Sequence, residues 1–211
     1  ETENIKKNFN SAKSQKIRKS ILEGTYKYCD EKQCPHLANL EQGKSIDNRL
    51  IQRTPENLEK YKVVSNINMV NFCFDRSCNL QCPSCRSEHI NYLGKDRDSV
   101  EEKLRQVNEE ISPTIKRLYL SGSADPFYSK SFRQWLINFD PTKFPKLLLI
   151  HIHTNGILWT PQLWNKMKKI HPFVTTAEIS IDAATKDTYE NHTRIGGDWK
   201  KLKENLEFIT S

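Results

Sequence analysis

The stretch LLLIHIHTNG, residues 147–156, alternates apolar and polar side chains once its leucines are passed. A period of two predicts a strand over 147–154, with Ile150 and Ile152 on one face and His151, His153 and Asn155 on the other. Three further runs share the pattern: 67–74 (INMVNFCF), 115–121 (IKRLYLS) and 176–182 (TAEISID). Their polar faces carry Asn71 and Cys73; Arg117, Tyr119 and Ser121; and Glu178, Ser180 and Asp182. Their apolar faces carry Val70, Phe72 and Phe74; Leu118 and Leu120; and Ile179 and Ile181. Strands buried on both faces of a parallel sheet read as unbroken apolar runs. Here one face wants helices and the other lines a wet cavity or a ligand. Helices are expected over 98–110, 130–138, 161–170 and 198–209, with Pro161 suited to a first turn. Strand, loop and helix thus recur four times, the mark of βαβ units and a parallel sheet. A sheet with one polar face predicts an α/β fold of the partial (β/α) TIM-like barrel type rather than a flat doubly wound sheet. In such barrels chemistry sits at the C-terminal strand ends.

Composition sets the bounds. With 211 residues, 36% of them hydrophobic, the chain is large enough for one domain plus an extension. The division expected is an N-terminal extension over 1–62 and the partial barrel over 63–211. No stretch approaches the roughly 18 apolar residues of a membrane span, and the lysine-rich start has no apolar signal segment. A soluble cytoplasmic protein is expected, where clustered cysteines serve metals or catalysis more often than disulfides. The formal charge is +7, with lysines grouped at 6–19, 166–169 and 200–203. Such clusters either attract phosphates or decorate solvated helix faces, and no interleaved arginine and aromatic residues accompany them, which argues against nucleic acid.

Three of the six cysteines, Cys78, Cys82 and Cys85, fall in CNLQCPSC directly after the first strand. Three thiols are one short of a closed tetrahedral zinc site, although His89 is near enough in sequence to complete one. A cubane iron–sulfur cluster held by three thiolates keeps one iron open to a small ligand. The other strand ends carry LSGSADPF (120–127), HTNG (153–156) and SIDAA (180–184), and RIGGDW follows at 194–199.

A C-x3-C-x2-C loop after a strand, followed by these motifs in this order, resembles the radical S-adenosylmethionine (radical SAM) superfamily over roughly residues 65–211. The resemblance implies a [4Fe–4S] cluster on Cys78, Cys82 and Cys85 whose open iron is chelated by SAM. It implies reductive cleavage of SAM to methionine and a 5′-deoxyadenosyl radical, which abstracts hydrogen from a substrate such as a peptide, a sugar or another metabolite. An electron donor of the flavodoxin or ferredoxin type is the implied partner. By the same resemblance Gly122, Ser123 and Asp125 would hold the amino group of SAM, with an Asp-Pro turn as the plainer reading. Ser180 and Asp182 would take its ribose or methionine end, or Asp182 would merely cap a helix. Asn155 would be a ligand or a turn residue beside Gly156. Arg194 would pair with the SAM carboxylate, or stand in solvent. Ser84 replaces the aromatic residue common before the last cysteine of the motif, and Ala124 with Asp125 replaces a glycine and a glutamate. His151 and His153 would contact substrate or form an internal network.

The segment SILEGTYKYCDEKQCPHL (20–37) looks like one that accompanies radical SAM domains of the SPASM type, which carry auxiliary iron–sulfur clusters. Cys29 and Cys34 would then be auxiliary ligands, though two thiols cannot complete a cubane. Four βα units are fewer than the six usual in the family, so the chain is read as a fragment or a short relative truncated at about four units. The alternative is a non-catalytic zinc or iron–sulfur module with a basic, nucleic-acid-binding surface.

Overall fold

The computed structural model describes residues 4–30, 32–34, 37, 66–120 and 122–211. The chain divides into two compact units, residues 3–65 and 66–211. In the first, α1 (Ile5–Phe9) and α2 (Ala12–Leu22) are capped by Asn4 and Ser11, whose side chains accept the N–H groups of Lys7 and Ser14. Gly24 (φ 72°) and Tyr26 (φ 47°) turn the backbone left-handed beyond α2. A pair of turns follows, with Cys29 N–H donating to Tyr26 O at 2.8 Å and Cys34 N–H to Asp30 O at 2.9 Å. Residues 38–62 of the expected extension lie outside the described residues.

The second unit is built on a four-stranded parallel sheet in the order β1 (Met69–Asn71), β2 (Arg117–Leu120), β3 (Leu149–Thr154), β4 (Val174–Ile179). Asn71 stands opposite Tyr119, Tyr119 opposite His151, and Ile152 opposite Ala177, with a register shift between Ile150 and His151. The strand order never reverses, so the sheet has no switch point of the doubly wound kind. Right-handed crossovers that always step the same way deliver their helices to the same face.

That face is the apolar one. Phe72, Leu118, Leu120, Ile150 and Ile152 are each no more than 1% exposed. Over them lie α3 (Gly94–Gln106), through Val100 and Leu104, and α4 (Lys130–Ile137), through Phe132, Trp135 and Leu136. The Phe72 ring meets Trp135 at 5.2 Å and Phe132 at 5.4 Å, and Trp135 continues to Phe139 and Phe144. Each such ring buried contributes roughly 1.5–3 kcal/mol by area. On the opposite face Asn71, Arg117 and Glu178 are exposed, and Tyr119, His151 and His153 are half-buried.

Several boundaries differ from the sequence expectation. β1 is shorter than 67–74 because Cys73 N–H turns back to Asn71 O at 3.1 Å. β4 covers 174–179 rather than 176–182: Ser180 N–H gives a last bond to Thr154 O at 2.9 Å, and Asp182 (φ 54°) leaves the extended region. Ser121 lies outside the described residues. The helix expected over 98–110 starts at Gly94 and widens to a π-helical turn over Val107–Ile111, ahead of Pro113. The helix expected over 161–170 stops after α5 (Pro161–Asn165), and a 3₁₀ segment, Lys168–Phe173, contains Pro172, which has no N–H to continue an α-helix. A single turn, α6 (Lys186–Thr188), and a π-helical turn (Tyr189–Thr193) precede α7 (Trp199–Thr210). Among the described residues no helix is long and apolar enough to cross a membrane.

Candidate functional site

The cysteine loop leaves β1 at its C-terminal end. Cys78 N–H donates to Ile90 O at 3.0 Å, closing the loop at its base. The backbone N–H groups of Cys85 and Arg86 both return to Cys82 O, at 2.9 and 3.0 Å, so the C-x2-C spacing is one tight turn. Gln81 N–H donates to Ile195 O at 3.0 Å and fastens the loop to the 194–197 segment. Cys78 and Cys82 are buried and Cys85 is exposed. All three border one cavity of about 180 Å³.

Every thiol of the trio receives an N–H donor. Cys78 Sγ accepts from Leu80 N–H at 3.5 Å and Asn155 Nδ2 at 3.8 Å, Cys82 Sγ from Arg194 Nη1 at 3.4 Å, and Cys85 Sγ from Arg86 Nη2 at 3.4 Å. Burial pushes the Cys78 thiol up to about 11, against the Leu80 N–H that lowers it. Among the described residues no three His, Cys, Asp or Glu side chains converge closely enough for a single metal ion. A cubane asks for a wider spread, because each thiolate holds a different iron. His89, the residue that would complete a zinc site, points its Nε2 at Tyr128 Oη, 3.3 Å away.

Six of the seven SAM-contact candidates, Gly122, Ser123, Asp125, Asn155, Ser180 and Arg194, line the same cavity as the cysteines. Gly122 sits at φ 106°, and a Cβ there would lie 2.6 Å from Cys73 Sγ, so two independent constraints demand glycine. Ser123 Oγ donates to Asp75 O at 2.6 Å and Cys73 O at 3.2 Å, tying the end of β2 to the end of β1. Asp125 is 2% exposed. Its Oδ1 accepts Phe127 and Tyr128 N–H, and its Oδ2 accepts Thr154 Oγ1 at 2.7 Å and Asn155 N–H at 2.9 Å. Burial raises its carboxyl above the ordinary range, opposed by these four donors. The carboxylate is thus spent on joining the β2 and β3 loops. Asn155 Nδ2 donates to Asn79 Oδ1 at 2.9 Å as well as to Cys78, and its Oδ1 accepts Ile157 N–H at 3.1 Å.

Ser180 Oγ lies 2.7 Å from His153 Nε2, and His153 stands 4.0 Å from Glu178 Oε1. His151 Nδ1 lies 2.8 Å from Thr176 Oγ1. Asp182, the seventh candidate, is not among the cavity-lining residues and holds Arg194 Nη2 in an ion pair instead. Its left-handed backbone is a conformation that Asp tolerates at some cost. Arg194 is only 13% exposed in its side chain, and its Nε finds no acceptor among the described residues.

Two residues escaped the sequence reading, one lining the cavity and one packed in the buried cluster that holds Cys78 and Cys82. Arg86 shares the cavity, and its signal was adjacency: a fixed cation one residue beyond the last cysteine of the motif. Tyr189, fully buried, has its hydroxyl pushed up to about 12 by burial, finds no partner for that hydroxyl among the described residues, and packs where a Cβ on Gly197 would strike it at 2.5 Å. Nothing in its neighbourhood in sequence marks it. Cys29 and Cys34 are half-buried in the first unit, and Asp30 Oδ1 between them accepts Lys32 and Gln33 N–H. Two lysines of the basic clusters, Lys19 and Lys200, are exposed and pair with glutamates four residues on, as solvated helix faces do.

The family model described as the radical SAM superfamily matches residues 73–211. The match does not favour the zinc or nucleic-acid alternative. No curated protein matches the chain.

Proposed function

The chain belongs to the radical SAM superfamily, and from that premise we propose that its second unit binds a [4Fe–4S] cluster on Cys78, Cys82 and Cys85 and cleaves SAM reductively. The superfamily in general uses an iron–sulfur cluster and SAM, and membership suggests an enzyme. When bound, that pair supplies one-electron cleavage of SAM to a 5′-deoxyadenosyl radical and hydrogen-atom abstraction from substrate.

The single observation that carries the reading is a convergence. Three thiols and six residues taken from four separate later motifs border one cavity, although Arg194 is 112 positions from the cysteine it touches. The residues also fit the group by chemistry. Each thiol has an N–H donor to offset thiolate charge. The Nε of Arg194 is unspent among the described residues, and Asp182 orients its guanidinium. Arg194 in this reading meets the SAM carboxylate, Ser180 with His153 meets its polar end, and Gly122 lets the backbone come close. Asp125 and Asn155 act from behind, holding the loop that carries Cys78. The singly wound sheet supports an arc of a partial (β/α) barrel with its polar face inward. A substrate and an electron donor of the flavodoxin or ferredoxin type complete the system. In the 1–62 extension, Cys29 and Cys34 would serve an auxiliary cluster of the SPASM type only with ligands from beyond the pair.

Anaerobic reconstitution with ferrous iron and sulfide tests the reading. About four irons per chain with labile sulfide, and 5′-deoxyadenosine released on reduction with SAM, are expected. One zinc without iron, or an iron-loaded protein that releases no nucleoside, overturns it.

A further inference from the structure

Cys85 differs from its two partners in being exposed; its backbone is fixed by the turn on Cys82 O, and one side chain also holds its sulfur. The side chain that does so is Arg86. Its Nη1 donates to Arg76 O at 2.7 Å, and its Nη2 donates both to Ser123 O at 2.8 Å and to Cys85 Sγ at 3.4 Å. One guanidinium therefore spans the residue that opens the cysteine loop, the end of β2, and the last thiol. Ser123 is itself bonded to Asp75 O, four residues past the end of β1, so the tether joins the segments that leave β1 and β2.

We infer that Arg86 is a positioning residue that clamps the exposed corner of the cluster and tunes it by placing a permanent positive charge against the Cys85 sulfur. The inference rests on the cluster assignment above. A guanidinium suits the task because its planar fork makes several donations at fixed angles, which an ammonium cannot do. Hydrogen bonds and charge at ligand sulfurs raise a cluster's potential by stabilising its reduced, more negative form. Removal of such outer partners commonly costs about 10-fold to 100-fold in metal affinity.

The test compares Arg86→Gln and Arg86→Lys with the unaltered chain, all reconstituted anaerobically. Read out are iron per chain, the midpoint potential from a redox titration followed by electron paramagnetic resonance, and the rate of bleaching in air. Arg86→Gln is expected to shift the potential downward and to bleach about 10-fold faster. Arg86→Lys, which keeps the charge and loses the fork, should recover most of the potential and little of the resistance to air. Circular dichroism and urea midpoints matching the unaltered chain confirm that neither variant is misfolded. Should both variants keep the parental potential and bleaching rate, the inference is wrong while the cluster assignment stands. Should the unaltered chain take up no iron, both fall together. Should Arg86→Gln prove unfolded, Arg86→Lys decides alone, since parental bleaching in that variant overturns the clamp.

Discussion

On the helix-covered face of the sheet, Phe72, Leu118, Ile150 and Ile152 are sealed under α3 and α4. On the other face of the same strands, Arg117 and Glu178 stand exposed, and Tyr119, His151 and His153 stand half-buried, these three engaged in hydrogen bonds and ring contacts rather than packing. Alternation along a strand puts neighbours in opposite environments. Apolar burial is therefore concentrated on one face and polar groups on the other, and the strand ends, where Asp125, Asn155 and the cysteine loop meet, carry the proposed site.

This division can be broken by substitution. Cys82→Ala has the largest expected effect on function, complete loss of iron retention and of nucleoside release, with stability changed by no more than about 1–2 kcal/mol. Iron analysis beside urea denaturation checks it, and a variant that still cleaves SAM would dissolve the assignment of chemistry to these strand ends. Phe132→Ala, on the sealed face, should cost about 3–5 kcal/mol in the same denaturation experiment. A loss under 1 kcal/mol would mean that the aromatic layer is not where the stability lies.

Asp125→Asn probes the seam. The amide keeps an acceptor for two of the four donors and turns its NH₂ on the others, so about 1–3 kcal/mol should be lost, together with weakened cluster retention. Stability lost with cluster retention untouched would separate the seam from the site. The smallest effect belongs to His151→Ala, whose bond to Thr176 lies on the open face. Its unfolding free energy should change by about 0.5 kcal/mol or less, and a cost like that of Phe132→Ala would show the polar face to be core.

The period-two runs exposed both faces because alternation is a local property of a strand, legible wherever one side is buried. The same signal misplaced the end of β4. Polar and apolar residues keep alternating through Ser180, Ile181 and Asp182, although the backbone leaves the strand and Asp182 enters the left-handed region. Pattern continues where conformation does not. Asp182 consequently reaches the site through Arg194 and not from the cavity wall. The helix predicted over 161–170 failed for a related reason: an apolar stripe persisted through a segment that Pro172 and a 3₁₀ turn had already broken.

Residue order alone established the cysteine trio, its place after the first strand, the polar and apolar faces, and the family likeness, all of which depend on spacings of a few residues. The clamp of Arg86 on Ser123, the Thr154 hydroxyl on Asp125 and the reach of Arg194 to Cys82 come from segments 37, 29 and 112 positions apart. Such meetings follow from the register and crossover of neighbouring strands, quantities no short window of sequence encodes. Where burial is the driving force, local pattern is enough to foresee it; where a charged or polar group finds its partner across the sheet, the partner exists only once the chain has closed upon itself.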